Sequence, residues 1–160
     1  MLFRSVGADN FKLFVRQNGV DRVLIDPTTL GDANGHLSLD WWEPSPNGAH
    51  VVYGLSKDGS EDSILHILKT ADGSDLPERI ANTEGAHPAW LDDGSGFFYN
   101  QLTGAVDTPE RYLDSQARFH RLGTDPAADP ILMKRGLDPQ VAYERDHGDF
   151  DPGRAVAARW

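Results

Sequence analysis

The chain has 160 residues and a formal charge of −10, from 15 lysines and arginines against 25 aspartates and glutamates. That balance excludes a nucleic-acid backbone as partner, because such binding needs a basic patch. There is no cysteine, which excludes a disulfide framework and a thiolate metal site. No apolar run nears the ~18 residues that span a bilayer, so no membrane partner is expected. Met1–Ser5 carries no apolar leader core. The expected compartment is the cytoplasm, or the periplasm if an upstream signal has been lost.

In chain order, Lys12–Arg16 and Arg22–Asp26 read as strands around Gln17-Asn18-Gly19, a hairpin signal. Asp26-Pro27 breaks that ladder, since proline donates no hydrogen bond. Residues 31–82 read as one complete four-stranded unit. Gly31–Gly35 is a loop and His36–Trp42 the inner strand. Pro44–Gly48 is a turn and His50–Leu55 the second strand. Lys57–Ser60 turns into a third strand, Ile64–Leu68. Ala71–Gly73 turns again, and Glu78–Ile80 begins a short outer strand.

Residues 83–135 repeat the plan. Ala86–Leu91, Gly96–Asn100, Ala117–Leu122 and Asp129–Met133 take the four strand places. The longer insertion Gln101–Ser115 reads as a solvated loop, in preference to a short helix capped by Thr108 with Pro109 first. In residues 136–160, Asp138–Tyr143 fits a helical turn or another strand, and Asp151–Trp160 is expected to be poorly ordered.

The two units echo each other. Trp42–Tyr53 and Trp90–Tyr99 each run from tryptophan through an Asn-Gly or Asp-Gly turn to three apolar residues ending in tyrosine. Gly48 and Gly94 recur at the spacing of about 40–50 residues that marks a propeller blade. Two unrelated hairpins would give the same echo. His50–Leu55 and Phe97–Tyr99 are apolar on both faces of the pleat. A half-solvated strand alternates instead, so these lie between stacked sheets, in blades or in a sandwich. The fold class read from these features is all-β. It is a partial propeller of about two four-stranded antiparallel blades, with the outer strands of a preceding one in residues 1–30. Four or more blades need a longer chain, so the expectation is a fragment.

Catalytic, cofactor and metal residues are all assigned as none. A nucleophile elbow needs Gly-x-Ser-x-Gly at a strand-to-helix turn. Gly54–Asp58 fails at its last position, and Gly94-Ser95-Gly96 sits in a hairpin, so Ser56 and Ser95 read as turn residues. His36, His50, His66, His87, His120 and His147 lack the spacing of a zinc site. His66 and His120 fall in third strands, as packing or edge residues. Asp58–Asp62 and Asp146–Asp151 lack the late glutamate of a calcium loop. Trp41, Trp42 and Trp90 are assigned to blade packing rather than to a ligand groove. Gly31–Gly35 lacks the lysine and helix of a phosphate loop.

Arg22–Pro27, Pro44–Gly48, Tyr53–Glu61, Pro88–Tyr99 and His120–Thr124, taken in order, resemble the propeller of the prolyl oligopeptidase (prolyl endopeptidase) family of serine peptidases. The resemblance covers about residues 12–135. It implies a longer protein with a seven-bladed propeller and a hydrolase domain bearing a Ser-Asp-His triad. The propeller would admit only short, flexible peptides, cleaved after proline. The implied partners are that hydrolase domain, the remaining blades and short proline-containing peptides. Gly85 stands where many members carry an aromatic residue, and the match fades from about His147. This chain is then the substrate-gating portion, not catalytic by itself. The alternative is a stand-alone interaction module that closes by self-association through its open blade edges.

Overall fold

The computed structural model describes residues 2–4, 11–31, 35–106, 108–113 and 115–134. Asp138–Tyr143, His147, Asp146–Asp151 and the C-terminal stretch lie outside them. Among the described residues eleven strands form three antiparallel sheets. The first holds β1 (Leu2–Arg4), β2 (Leu13–Gln17) and β3 (Val20–Ile25). The second holds β4 (Leu37–Pro44), β5 (His50–Lys57), β6 (Ile64–Lys69) and β7 (Asp75–Ile80). The third holds β8 (Ala89–Trp90), β9 (Gly96–Gln101), β10 (Gln116–Arg121) and β11 (Ile131–Met133). In the two complete sheets, neighbours in sequence are neighbours in space. This is the up-and-down order of a propeller blade, and the chain is a partial, open β-propeller.

The sequence dictates the hairpins locally. Asn18 and Gly19 take φ of 52° and 79°, the left-handed pair that a two-residue hairpin requires. The inner turns of the second and third sheets touch. Gly94, at φ 70°, packs so close to Asn47 that a Cβ there would stand 2.9 Å from its Nδ2. The recurrence of Asx-Gly is thus a physical contact between successive blades.

β5 explains the stacking. Val51, Tyr53 and Leu55 join Leu13, Val15, Leu24 and Ile25 of the first sheet in one apolar cluster, with Leu39 and Leu68. Val52 points the other way, into a second cluster with Leu65, Ile67, Ile80, Phe97 and Tyr99. A period-two strand serves both clusters only if a sheet lies on each side. Trp42 edges the first cluster, and Trp41 and Trp90 edge the second. These indoles pack between blades.

Several strand boundaries differ from the sequence expectation. Pro27–Leu30 forms one helical turn after Asp26, whose side chain accepts from the Thr28 N–H. The outer strand of the second sheet begins at Asp75, before Glu78. The inner strand of the third sheet shrinks to Ala89–Trp90, because Gly85 and His87 hold positive φ and cannot extend. The reading of the insertion as a solvated loop is corrected. Pro109–Tyr112 forms a 3-10 helix and Arg111 is only 3% exposed. Proline does open that helix, but Thr108 does not cap it with its side chain. The Thr108 hydroxyl donates to the Ala105 carbonyl.

Gly54 lies beneath the Trp41 ring, where a Cβ would stand 2.5 Å from the indole. Gly54→Ala must push Trp41 out of the blade seam. The expected loss of stability is ~1–3 kcal/mol, the usual cost of overpacking. A lowered urea midpoint with unchanged slope checks it, and a wild-type midpoint would contradict it.

Candidate functional site

The polar groups with the most developed geometry are two clusters, one in each four-stranded sheet; the one in the third sheet is buried, and the one in the second runs from buried Tyr53 out to exposed Arg79. In the second sheet the Tyr53 hydroxyl donates to Asp75 Oδ1 at 2.8 Å. His66 Nδ1 lies 3.3 Å from Asp75 Oδ2, with its ring stacked on Tyr53 at 5.2 Å. Arg79 Nη2 reaches the same carboxylate at 2.7 Å. In the third sheet the Tyr99 hydroxyl donates to Asp129 Oδ2 at 2.9 Å. His120 Nδ1 lies 3.0 and 3.1 Å from the two Asp129 oxygens.

The two clusters share chemistry but not register. His66 pairs directly with Tyr53. In the third sheet Arg118 stands opposite Tyr99, and His120 stands opposite Phe97. The Arg118 guanidinium donates to the Asp129 carbonyl at 2.6 Å. Each carboxylate ties its outer edge to the two preceding strands. The tyrosine–aspartate bond is the repeated part, and the histidine arrives by a different route each time.

Burial, and then the adjacent aspartate, raises both tyrosines well above their ordinary range, so they remain neutral donors. Burial opposes ionisation of Asp75, but bonds from His66 and Tyr53 and the charge of Arg79 outweigh it and hold the carboxyl below its usual value. Because the Asp129 carboxylate accepts, His120 carries its proton on Nδ1. Its Nε2 is buried without a partner among the described residues. No serine accompanies either histidine in these bonds. The clusters fasten strands to one another.

The other sequence candidates are dispersed. The reading of Ser56 as a turn residue is corrected: it lies within β5, 1% exposed, and donates to Asp40 Oδ1 at 2.9 Å, and Ser63 donates to the other Asp40 oxygen. Ser95 sits in its turn, its N–H on Asp93 at 2.9 Å. His36 and His87 are exposed. His50 stacks on Trp90 at 6.4 Å, and burial, then Lys69, lowers its pKa despite Glu78. Asp58 caps the His36 N–H and Asp62 pairs with Arg111. Gly31 and Gly35 are near one another, as the Gly31 Cβ position lies 2.8 Å from the Gly35 carbonyl. Among the described residues no group of three or more histidine or acidic side chains is placed to hold a metal ion.

The seams carry their own polar bonds. Arg22 Nη2 of β3 donates to the Thr70 carbonyl of the next sheet at 2.5 Å. Glu78 Oε1 of β7 accepts the Gly123 N–H of the next sheet at 2.7 Å. Trp90 Nε1 donates back to the Glu43 carbonyl at 3.2 Å. Arg111, from the 3-10 helix, bonds Asn82 Oδ1 at 3.0 Å, the Gly104 carbonyl at 3.1 Å, and Asp62. Sequence spacing could suggest Tyr53 and Tyr99. Nothing local marks Arg111 or Glu78, whose partners lie far along the chain.

The model of the prolyl oligopeptidase N-terminal β-propeller domain matches residues 2–148. The chain belongs to the prolyl oligopeptidase family. Prolyl oligopeptidase A of Amanita bisporigera is 26% identical over 149 residues, covering 81% of this chain and 19% of that protein. Prolyl endopeptidase of Elizabethkingia miricola is 27% identical over 125 residues, covering 72% and 17%. A solved structure from work on inter-domain dynamics in two prolyl endopeptidases superimposes with a TM-score of 0.72 at 28% identity. It covers 81% of this chain and 20% of that one. The ligand-free prolyl oligopeptidase B of Galerina marginata gives a TM-score of 0.67 at 20% identity, a likeness of fold. The chain spans about a fifth of the length of these relatives.

Two outcomes test the clusters of this prolyl oligopeptidase propeller segment. Tyr99→Phe removes a donor from a buried carboxylate and should cost ~1–3 kcal/mol, read from denaturant unfolding. Asp75, held below its ordinary pKa, contributes stability that is present above its unfolded value of ~3.9 and is lost as pH falls through the folded value. Asp75→Asn should therefore flatten the acid limb of stability below about pH 4. An unchanged limb would show that Asp75 is not linked to folding.

Proposed function

We propose that this segment is part of the screen over the active site of a prolyl oligopeptidase-like serine peptidase. The observation that supports the reading is the family match over residues 2–148, together with three sheets that stack face to face. The screen limits access to short, proline-containing peptides, which the hydrolase domain cleaves after proline. The segment's partners are that domain and the remaining blades. It supplies no catalytic group of its own.

The physics of such a screen is steric. A wall excludes by size only if its seams do not part, and close-packed apolar interfaces resist dilation. The seam between the second and third sheets joins an apolar cluster to the Arg111 and Glu78 bonds. The role assigned here is therefore rigidity rather than chemistry.

The purified 160-residue chain should not release chromophore from a proline-containing peptide in a manner sensitive to a serine-directed inhibitor; such turnover would sink the reading. In a longer protein that carries this segment with a hydrolase domain, Arg111→Ala should raise kcat/KM for long or folded substrates while leaving a short peptide unaffected. An unchanged ratio between the two would remove the screening role.

A further inference from the structure

Asparagine followed by glycine has an intrinsic chemistry. The glycine nitrogen attacks the asparagine side-chain carbon, and a carbon–nitrogen bond closes a five-membered imide. Ammonia leaves, carrying off the proton of the attacking nitrogen. Water then opens the ring at one carbonyl or the other, giving aspartate or isoaspartate. The attack requires a side chain free to swing and a main-chain N–H free to approach it.

The Asx-Gly turns of this chain differ in that freedom. Asn47 Oδ1 accepts the Ser45 hydroxyl at 2.8 Å and the Ala49 N–H at 3.0 Å. The Gly48 N–H is itself donated to the Ser45 carbonyl at 2.8 Å. Asp58 Oδ1 holds the His36 N–H, Asp72 Oδ1 the Ser74 N–H and Asp93 Oδ1 the Ser95 N–H, each at 2.9 Å. Among the Asx-Gly pairs that lie wholly within the described residues, Asn18, before Gly19, is the exception. It is exposed, and its side chain and the Gly19 N–H make no hydrogen bond among the described residues. Nothing stands within 4 Å of where a side chain at Gly19 or at Gly48 would be, so it is the hydrogen bonds that set the two asparagines apart. Only the hairpin backbone restrains Asn18.

We propose that Asn18 is a spontaneous modification site, deamidating ahead of Asn47 in the folded chain. The aspartate product adds a negative charge at the hairpin tip. The isoaspartate product adds a methylene to the main chain and disrupts the Gln17–Val20 pairing next to it.

The test uses the full chain held at mildly alkaline pH, with and without urea, and digested with trypsin. Residues Gln17–Arg22 form one tryptic peptide, so Asn18 is read by its mass change. Asn47 is read from fragment ions of Val23–Lys57. In the folded chain Asn18 should convert about tenfold faster or more than Asn47, equivalent to ~1.4 kcal/mol of restraint. In urea the two rates should converge. Ser45→Ala, which removes one of the two bonds held by Asn47 Oδ1, should speed Asn47 and leave Asn18 unchanged. Equal rates in the folded chain, or the same ratio with and without urea, would overturn the proposal.

Discussion

β5 must be dry on both faces, and the architecture follows from that. Val51, Tyr53 and Leu55 leave the strand on one side and Val52 on the other. Burying both sets requires a sheet before and a sheet after. Each added sheet then has its own unsatisfied face, so a strand of this composition demands stacking rather than a lone sheet. The blade-to-blade contact between Asn47 and Gly94 sets how closely the inner turns approach. Gly54 performs the same service beneath Trp41.

Polar chemistry refines this apolar scheme. Outer strands are the weakly buried members of each blade: β11 has two exposed residues and one half-buried, and it pairs with β10 across a register shift. Such a strand gains little from burial. The bond from Tyr99 to Asp129 and the Arg118 guanidinium on the Asp129 carbonyl attach that segment where hydrophobic contact does not. The second sheet solves the same problem with Tyr53 and Asp75. That the histidine enters the two clusters from different register positions separates the constraint from its implementation. The carboxylate needs donors, and more than one strand position can provide them.

Legibility in the sequence divides along the same line. Asn18-Gly19, Asn47-Gly48 and Asp93-Gly94 announce their turns because left-handed φ is a local demand. The doubly apolar runs at His50–Leu55 and Phe97–Tyr99 announce stacked sheets, in blades or in a sandwich, and the recurrence of the Asx-Gly turns at a blade's spacing points to blades. The 3-10 helix at Pro109–Tyr112 was not legible as packed structure. Its anchor, Arg111, looks like any surface cation until Asn82 and Asp62 are brought to it by the preceding blade. His66 and His120 looked like packing residues for a similar reason. Their carboxylate partners sit beyond a turn, and no local pattern links them.

The seam bonds made by outer-strand side chains have opposite polarity: Arg22 gives hydrogens to main-chain carbonyls, whereas Glu78 takes one from a main-chain N–H. The blades are therefore not interchangeable parts. If the second sheet were duplicated in tandem, Glu78 would face the turn whose Thr70 and Ala71 carbonyls now receive the Arg22 guanidinium, a different neighbour from the Gly123 N–H that it serves here. Each outer strand offers its own end of a hydrogen bond to the blade that follows.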